Sequence, residues 1–136
     1  MAGTRRKARA LVLQALYEVD SAGHGVEEVV TRLLAKEDLS EGNAAFTREL
    51  VSGVIQNKEE IDRNIQSFAP LWPIGQISVV DRNILRLAIF EILLDNKVSV
   101  RVAINEAVEL AKTFGSDSSS KFVNGVLGSV SALVSR

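Results

Sequence analysis

Apolar residues recur at steps of three and four along almost every long segment of this chain, and this period constrains the fold most. The first segment predicts a helix from about Arg5 to Ala22. Its apolar stripe consists of Ala8, Leu11, Val12, Ala15, Leu16 and Val19. No run that alternates apolar and polar residues, as a half-buried strand does, competes with this period. The pattern therefore predicts an all-α fold.

The same period predicts further helices over the rest of the chain. Their approximate bounds are 26–36, 46–68, 78–95, 100–114 and 117–134. The third is expected to be one long helix, because its apolar residues stay in phase from start to end. Ser78 and Ser99 are expected to be N-caps, and Gly115 is expected to stop the helix before it. The result is six or seven helices joined by short connections and packed as helical bundles.

Both prolines of the chain, Pro70 and Pro73, lie almost at its midpoint, with Trp72 between them. Proline cannot continue a helix and biases the preceding residue away from helical conformation. We therefore expect residues 1–136 to form one domain of two helical subdomains. These are an N-terminal three-helix bundle over about 5–69 and a C-terminal helical bundle over about 74–135.

Composition excludes several classes of function. The chain contains no cysteine, which removes disulfide frameworks, thiol catalysis and thiolate zinc sites. Its single histidine, His24, leaves the usual zinc and serine-hydrolase constellations without most of their parts. No apolar run reaches the length of a membrane span. We therefore expect a cytoplasmic protein with no catalytic residues, no metal and no cofactor, and with no membrane partner.

The net charge of −1 hides an uneven distribution. Arg5, Arg6, Lys7 and Arg9 lie within the first 17 residues, which include no acid. Tyr17 follows Arg6 by three helical turns on nearly the same azimuth. Guanidinium groups hold phosphates and a phenol ring stacks on an unpaired base, so this face fits single-stranded RNA. A solvated helix end is the alternative interpretation.

The turn Phe114-Gly-Ser-Asp-Ser-Ser-Ser-Lys-Phe joins the last two predicted helices. It combines backbone N–H groups at a helix start with hydroxyl groups, Lys121 and the ring of Phe122, which together favour an anion site. Asp117 could instead occupy the same N–H groups as a helix cap. Phe122 could be a core residue or a stacking face.

A protein-interaction function is the alternative from another class. In that interpretation the chain is a helical interaction module or a homodimer, and its basic face meets an acidic protein surface. An enzyme would need an acid–base pair in a deep pocket, and the sequence offers no candidate for one.

Several segments, taken in order from about residue 5 to 127, resemble the NusB family of transcription antitermination factors. They are Arg5-Arg-Lys-Ala-Arg-Ala, Val12-Leu-Gln-Ala-Leu-Tyr17, Val80-Asp-Arg-Asn-Ile-Leu-Arg-Leu-Ala, Val102-Ala-Ile-Asn-Glu-Ala-Val-Glu-Leu-Ala-Lys and Lys121-Phe-Val-Asn-Gly-Val-Leu. The resemblance implies an all-α fold of two three-helix subdomains, the second with additional helices. It also implies binding to the boxA element of nascent ribosomal RNA leader transcripts, together with the small-subunit ribosomal protein NusE. That complex joins elongating RNA polymerase and other Nus factors and suppresses premature termination.

The resemblance also implies which residues form the site. The arginine-rich RNA arm of the family falls on Arg5, Arg6, Lys7 and Arg9, and its RNA-proximal tyrosine falls on Tyr17. The later RNA contacts of the family fall on the 116–122 turn, at Ser116, Lys121 and Phe122. Arg86 is also expected to bind RNA. Asp81 and Arg82 fall near the joint surface with RNA and NusE and are expected to bind the partner. The chain departs from the family pattern at residues 118–120, where three serines replace the usual acid–serine pair and the residue after it.

Overall fold

The computed structural model describes residues 2–134, with side chains from residue 5 onward, and these residues form an all-α fold. The seven α-helices are α1 Ala2–Ala22, α2 Val26–Ala35, α3 Glu41–Gln56, α4 Lys58–Phe68, α5 Val79–Ile89, α6 Val100–Phe114 and α7 Ser119–Ser131. A 3₁₀ turn, Ile74–Gln76, precedes α5, and a π-helical segment, Phe90–Asp95, follows it. The predicted fold class is confirmed. The last helix ends earlier than expected, at Ser131, so Val134 lies beyond it.

The helices group into two compact units that divide between Gln56 and Asn57. The division was expected at the proline segment, with an N-terminal bundle reaching residue 69, and that boundary is wrong. Helix α4 belongs to the second unit because it packs against α5 and α7. The prolines lie inside the second unit and do not separate the two.

The third predicted helix is two helices, α3 and α4, that meet at Asn57. The backbone of Asn57, with φ −108° and ψ 16°, departs from helical geometry and interrupts the helix. The apolar pattern of the sequence does not reveal this break, because Val54 before it and Ile61 after it are seven residues apart. Seven residues make almost two full turns, so the apolar stripe stays in phase across the interruption.

In the first unit, α1 packs against both α2 and α3. Its predicted apolar stripe is buried for the most part, including Leu11, Val12 and Leu16. Val29 of α2 and Leu50 of α3 are buried as well. Removing these side chains from water fixes the rotation of α1 about its axis and leaves the opposite edge of the helix at the surface.

A carboxylate near the end of α1 links it to α2. Glu18 accepts hydrogen bonds from Arg32, and its Oε2 lies 2.8 Å from Nδ1 of His24. The Arg32 bond, followed by the bond with His24, lowers the pKa of the Glu18 carboxyl. His24 is therefore a loop residue tied to α1.

In the second unit, α5 is the central helix. Every residue from Asn83 to Ile89 is buried, and α5 packs against α4, α6 and α7. Ser78 caps its start by accepting the backbone N–H of Asp81 at 3.1 Å. Ser99 likewise accepts the N–H of Val102 and caps α6, so both predicted caps are confirmed. Within the described part of the chain, no helix is long and apolar enough to cross a membrane.

Candidate nucleic-acid interface

The basic arm lies on the first turns of α1, where the structure separates its four cations by exposure. Arg5, Arg6 and Lys7 are exposed. Arg9 is only 4% exposed, so its guanidinium is not available for direct contact with a phosphate. Arg9 was predicted to contact RNA, whereas the structure places it on the buried side of the helix, in the packing of the first unit.

Two of these arginines, Arg5 and Arg9, contact the ring of Phe46 on α3. The guanidinium carbon of Arg5 lies over the ring of Phe46, 4.0 Å from its centroid, and that of Arg9 lies 5.2 Å from the same centroid. Both distances are within the range of cation–π contacts. Phe46 is the first residue of the segment 46–68 that the sequence predicted as the third helix. No local signal indicates that a ring in that segment meets the basic arm.

Lys7 is held differently, by a carboxylate. Its Nζ lies 3.2 Å from Oε2 of Glu37, in the segment that follows α2. This pair is partly exposed, so it contributes little to stability. A carboxylate on Lys7 nevertheless occupies the ammonium that a phosphate would use, and Glu37 was not singled out by the sequence pattern.

Tyr17 provides an exposed aromatic ring in the first unit. It lies on α1 with 44% of its surface exposed, which places an aromatic ring at the surface of the same helix as the arm. Burial of Leu16 next to it fixes the rotation of the helix at this point. The ring can therefore stack on an unpaired base without unfolding any part of α1.

The turn before α7 is closed by a serine. The backbone N–H of Ser116 donates to Oγ of Ser119 at 2.9 Å, and the hydroxyl of Ser116 lies 3.2 Å from the same oxygen. Ser119 is buried, whereas Asp117 and Lys121 are exposed. The expected alternative, a cap by Asp117, is not what the structure contains. The carboxylate lies at the surface and Ser119 fixes the turn.

Phe122 packs against the one tryptophan of the chain. Its ring is half-buried and lies 6.4 Å from that of Trp72, with an interplanar angle of 74°, an edge-to-face arrangement. Trp72 remains 52% exposed, and its carbonyl accepts a hydrogen bond from Nε2 of Gln66 at 2.8 Å. The two interpretations of Phe122 thus combine, since one part of its ring packs and the other is accessible.

Arg86 was predicted to contact RNA, and the structure holds its guanidinium against side chains of its own chain. It is buried in α5, where Nε and Nη2 donate to the two carboxylate oxygens of Asp62 at 2.8 and 3.0 Å. Its Nη1 donates to Oδ1 of Asn83 at 3.1 Å. This bidentate ion pair connects α5 to α4, and it engages the guanidinium N–H donors that a phosphate would need.

The two residues expected to bind a protein partner lie at the start of α5. Asp81 is buried, and its Oδ1 has no hydrogen-bond partner among the described residues. Arg82 is half-buried, with Nη1 3.5 Å from the carbonyl oxygen of Ile74 and 3.4 Å from that of Ile77. Both side chains are therefore partly enclosed by their own unit and only partly accessible to a protein partner.

Comparison with known proteins places these features in a family. The model of the NusB family matches residues 6–132. The transcription antitermination protein NusB of Dehalococcoides mccartyi (strain ATCC BAA-2266 / KCTC 15142 / 195) is 56% identical over 131 residues, which are 96% of this chain and 92% of the relative. The protein of that name from Chloroflexus aggregans is 47% identical over 132 residues, 96% of this chain and 88% of the relative.

Solved structures agree with these relatives. NusB of T. maritima is 33% identical and superposes with a TM-score of 0.85, covering 94% of this chain and 90% of that one. A chain from the crystal structure of the antitermination factors NusB and NusE in complex with dsRNA is 26% identical, with a TM-score of 0.89 over 98% of this chain and 100% of that one. The family match spans nearly all of the helices described above, and over most of its length the chain is more than half identical to a named member. This chain therefore belongs to the NusB family.

Proposed function

We propose that this protein binds the boxA element of nascent ribosomal RNA leader transcripts, together with ribosomal protein NusE. As a member of the NusB family, it is a transcription antitermination factor and not an enzyme. We place it in the cytoplasm, with elongating RNA polymerase and other Nus factors. The observation that carries the RNA proposal is the exposed cation cluster on the first turns of α1, in a family with a member crystallised alongside NusE and dsRNA.

The cation cluster is costly for the helix that carries it. The N-terminus of a helix bears a partial positive charge, so a cation in the first turn, here Arg5, is unfavourable by about 0.3–1 kcal/mol at low ionic strength, and Arg6 and Lys7 add like charge beside it. The first turn of α1 contains no acidic residue that would offset them. A polyanion at Arg5, Arg6 and Lys7 would remove this repulsion, which supports phosphate binding at this end of the helix.

Unpaired bases are the part of the RNA that the aromatic side chains fit. Tyr17 in the first unit and Phe122 with Trp72 in the second leave ring surface accessible. Stacking on an aromatic ring requires a base that is not already stacked in a duplex. We favour single-stranded RNA because each unit presents an aromatic ring.

The single tryptophan allows a direct test. A labelled single-stranded boxA-type RNA is titrated with the full chain while its anisotropy is followed, and the emission of Trp72 is recorded in parallel with unlabelled RNA. We expect a rise in anisotropy, and a change in Trp72 emission because RNA at the 116–122 turn would contact or shield the Trp72–Phe122 pair. A rise in anisotropy with unchanged emission would remove the turn from the site.

Substitution of an exposed arginine tests the arm. Arg6→Ala is expected to weaken RNA binding by about two- to twelve-fold, which corresponds to a typical net hydrogen-bond contribution of about 0.5–1.5 kcal/mol. Arg101→Ala, at an exposed position of α6 outside the proposed site, is the matched control and is expected to change binding by less than about two-fold. Equal losses for both variants, or no binding by the wild type, would overturn the RNA proposal.

The partner part of the proposal has its own test. Adding purified NusE to the same titration is expected to strengthen RNA binding, because the partner extends the surface that contacts the RNA. An unchanged Kd would contradict a joint site. Binding of NusE combined with a complete lack of RNA binding would favour the protein-interaction alternative.

A further inference from the structure

We propose that Phe46 is a positioning residue for RNA binding, which holds the guanidinium of Arg5 in place for a phosphate while leaving its N–H donors unused. This inference rests on the proposed function of the arm. Phe46 lies on α3 and does not itself belong to the basic segment. Neither the sequence pattern nor the resemblance to the family assigns it a role in binding.

The location of Phe46 explains why it meets the arm. It precedes Leu50 by four residues, so both lie on the same face of α3. Leu50 is buried, and α3 packs against α1 along this face. Phe46 is half-buried at the end of that stripe, and there it meets Arg5 and Arg9, which are themselves four residues apart on one face of α1.

The chemistry of the contact leaves Arg5 competent to bind. An aromatic face attracts the cation through its quadrupole and accepts none of its N–H groups as conventional hydrogen bonds. The ring contact therefore uses none of the five donors of the guanidinium and leaves its charge for a phosphate. Lys7 in the same arm shows the contrast, because Glu37 offsets its charge and occupies its ammonium.

The contact also fixes the side chain before RNA arrives. A free arginine has several rotatable bonds, and immobilising it on binding costs affinity. Arg5 is exposed but lies at stacking distance from a ring that is anchored in the first unit. Arg9, which is buried against the same ring, keeps the ring from moving away.

The test is a double-mutant cycle between Phe46 and Arg5, read by the anisotropy of a labelled single-stranded boxA-type RNA bound to the full chain. Phe46→Leu keeps an apolar side chain and removes the ring, and we expect it to raise Kd about two- to five-fold, the size of an exposed cation–π contact. Phe46→Tyr keeps the ring and is expected to bind like the wild type. In an Arg5→Ala background, Phe46→Leu is expected to have no further effect.

Phe68→Leu is the matched control, because Phe68 is also half-buried but lies on α4 in the other unit. It is expected to leave Kd unchanged. A loss in Phe46→Leu that is equally large in the Arg5→Ala background would mean that Phe46 acts only through packing, and would overturn the inference. Absence of RNA binding by the wild type would instead overturn the proposed function, and the inference with it.

A second measurement does not depend on any substitution folding. In the NMR spectrum of the wild type, the side-chain Hε of Arg5 is expected to be shifted upfield by the ring current of Phe46, and to stay shifted when RNA is added. A signal at the unshifted position in the free protein, or one that returns there in the RNA complex, would show that the ring does not position Arg5 for binding.

Discussion

At the scale of single residues, the partners of a cation decide whether it can bind RNA. Arg5 lies on a ring, Lys7 pairs with a carboxylate and Arg9 is buried, although all three belong to one short basic segment. Arg86 is also buried, with its donors engaged by its own chain. Charge in the sequence therefore overstates the charge that is available at the surface.

The pair between Lys7 and Glu37 leads to a prediction that a mutation strengthens binding. Glu37→Gln removes the carboxylate that competes with phosphate for Lys7, so RNA affinity is expected to rise about two-fold, consistent with the small free energy of exposed ion pairs. RNA anisotropy titration at low salt provides the measurement. Glu27→Gln is the control, because Glu27 pairs with Arg48 in the same unit and its loss changes the net charge equally. Equal gains in both variants would mean that only overall charge matters.

Gly115 leads to a second prediction at this scale, one about stability. A Cβ at this position would lie 2.5 Å from Cβ of Ser119 and 2.7 Å from the carbonyl oxygen of Ala111, which is backbone and cannot rotate away. Gly115→Ala is therefore expected to destabilise the protein by about 1–3 kcal/mol, the usual cost of overpacking. The free energy of unfolding in urea is the measurement.

Gly128→Ala is the matched comparison for that substitution. Gly128 lies within α7, and a Cβ there would meet no atom within 4 Å. Replacing glycine by alanine inside a helix is then expected to stabilise the protein by about 0.5–1 kcal/mol. A Gly115→Ala variant as stable as the Gly128→Ala variant would show that the turn adapts freely.

At the scale of helices, the contacts between elements decide which side chains are structural. The ion pair of Arg86 and Asp62 connects α5 to α4, and the bond from Arg86 to Asn83 stays within α5. Because every residue of α5 from 83 to 89 is buried, a charge in this stretch needs a partner inside the protein. The same helix packing that makes α5 central therefore removes Arg86 from the surface.

Arg86→Met tests this assignment. The substitution keeps much of the side-chain volume but removes the cation. It is expected to lower the free energy of unfolding by about 2 kcal/mol. This is less than the loss from breaking a fully buried ion pair, because Asp62 is partly exposed. RNA affinity of the folded variant is expected to stay within about two-fold of the wild type. Arg6→Ala is expected to show the opposite balance, with weaker RNA binding and only a small change in stability, because Arg6 is exposed. A large loss of binding in folded Arg86→Met would restore Arg86 to the site.

At the scale of the whole molecule, net charge says little about binding to a polyanion. The chain has a net charge of −1 and a sequence pI near 5.9, and both would suggest weak repulsion from RNA. Attraction depends on local clusters of cations, and the arm on α1 is such a cluster. The first unit carries the arm and Tyr17, and the second carries the 116–122 turn with Lys121 and Phe122.

The salt dependence of the RNA-binding constant measures how many phosphates the protein's cations neutralise. The three exposed cations of the arm predict a slope of log K against log salt near about −2, and Lys121 brings it near about −3. Titrations of the same RNA over a range of KCl concentrations measure the slope. A nearly flat dependence would contradict phosphate binding by the arm. Loss of about one unit of slope in Lys121→Gln would assign one phosphate to the turn.

The sequence by itself determined the features that depend on near neighbours along the chain. The helical period, the caps at Ser78 and Ser99 and the stop at Gly115 all arise from residues within one or two turns of each other, so their signals are local. The basic arm and Tyr17 are likewise visible in one helix. The break at Asn57 was not visible, because a seven-residue step keeps the stripe in phase.

Only the tertiary structure decided which of the predicted site residues remain accessible. Arg86 is satisfied by Asp62, 24 positions away in the sequence, and the arm meets Phe46 and Glu37 from beyond α2. Such pairings depend on how helices pack, and helix packing is set by apolar faces that carry no information about which charges will meet at their edges. The local pattern therefore fixes the faces of each helix, and the packing of the helices fixes which cations are left for RNA.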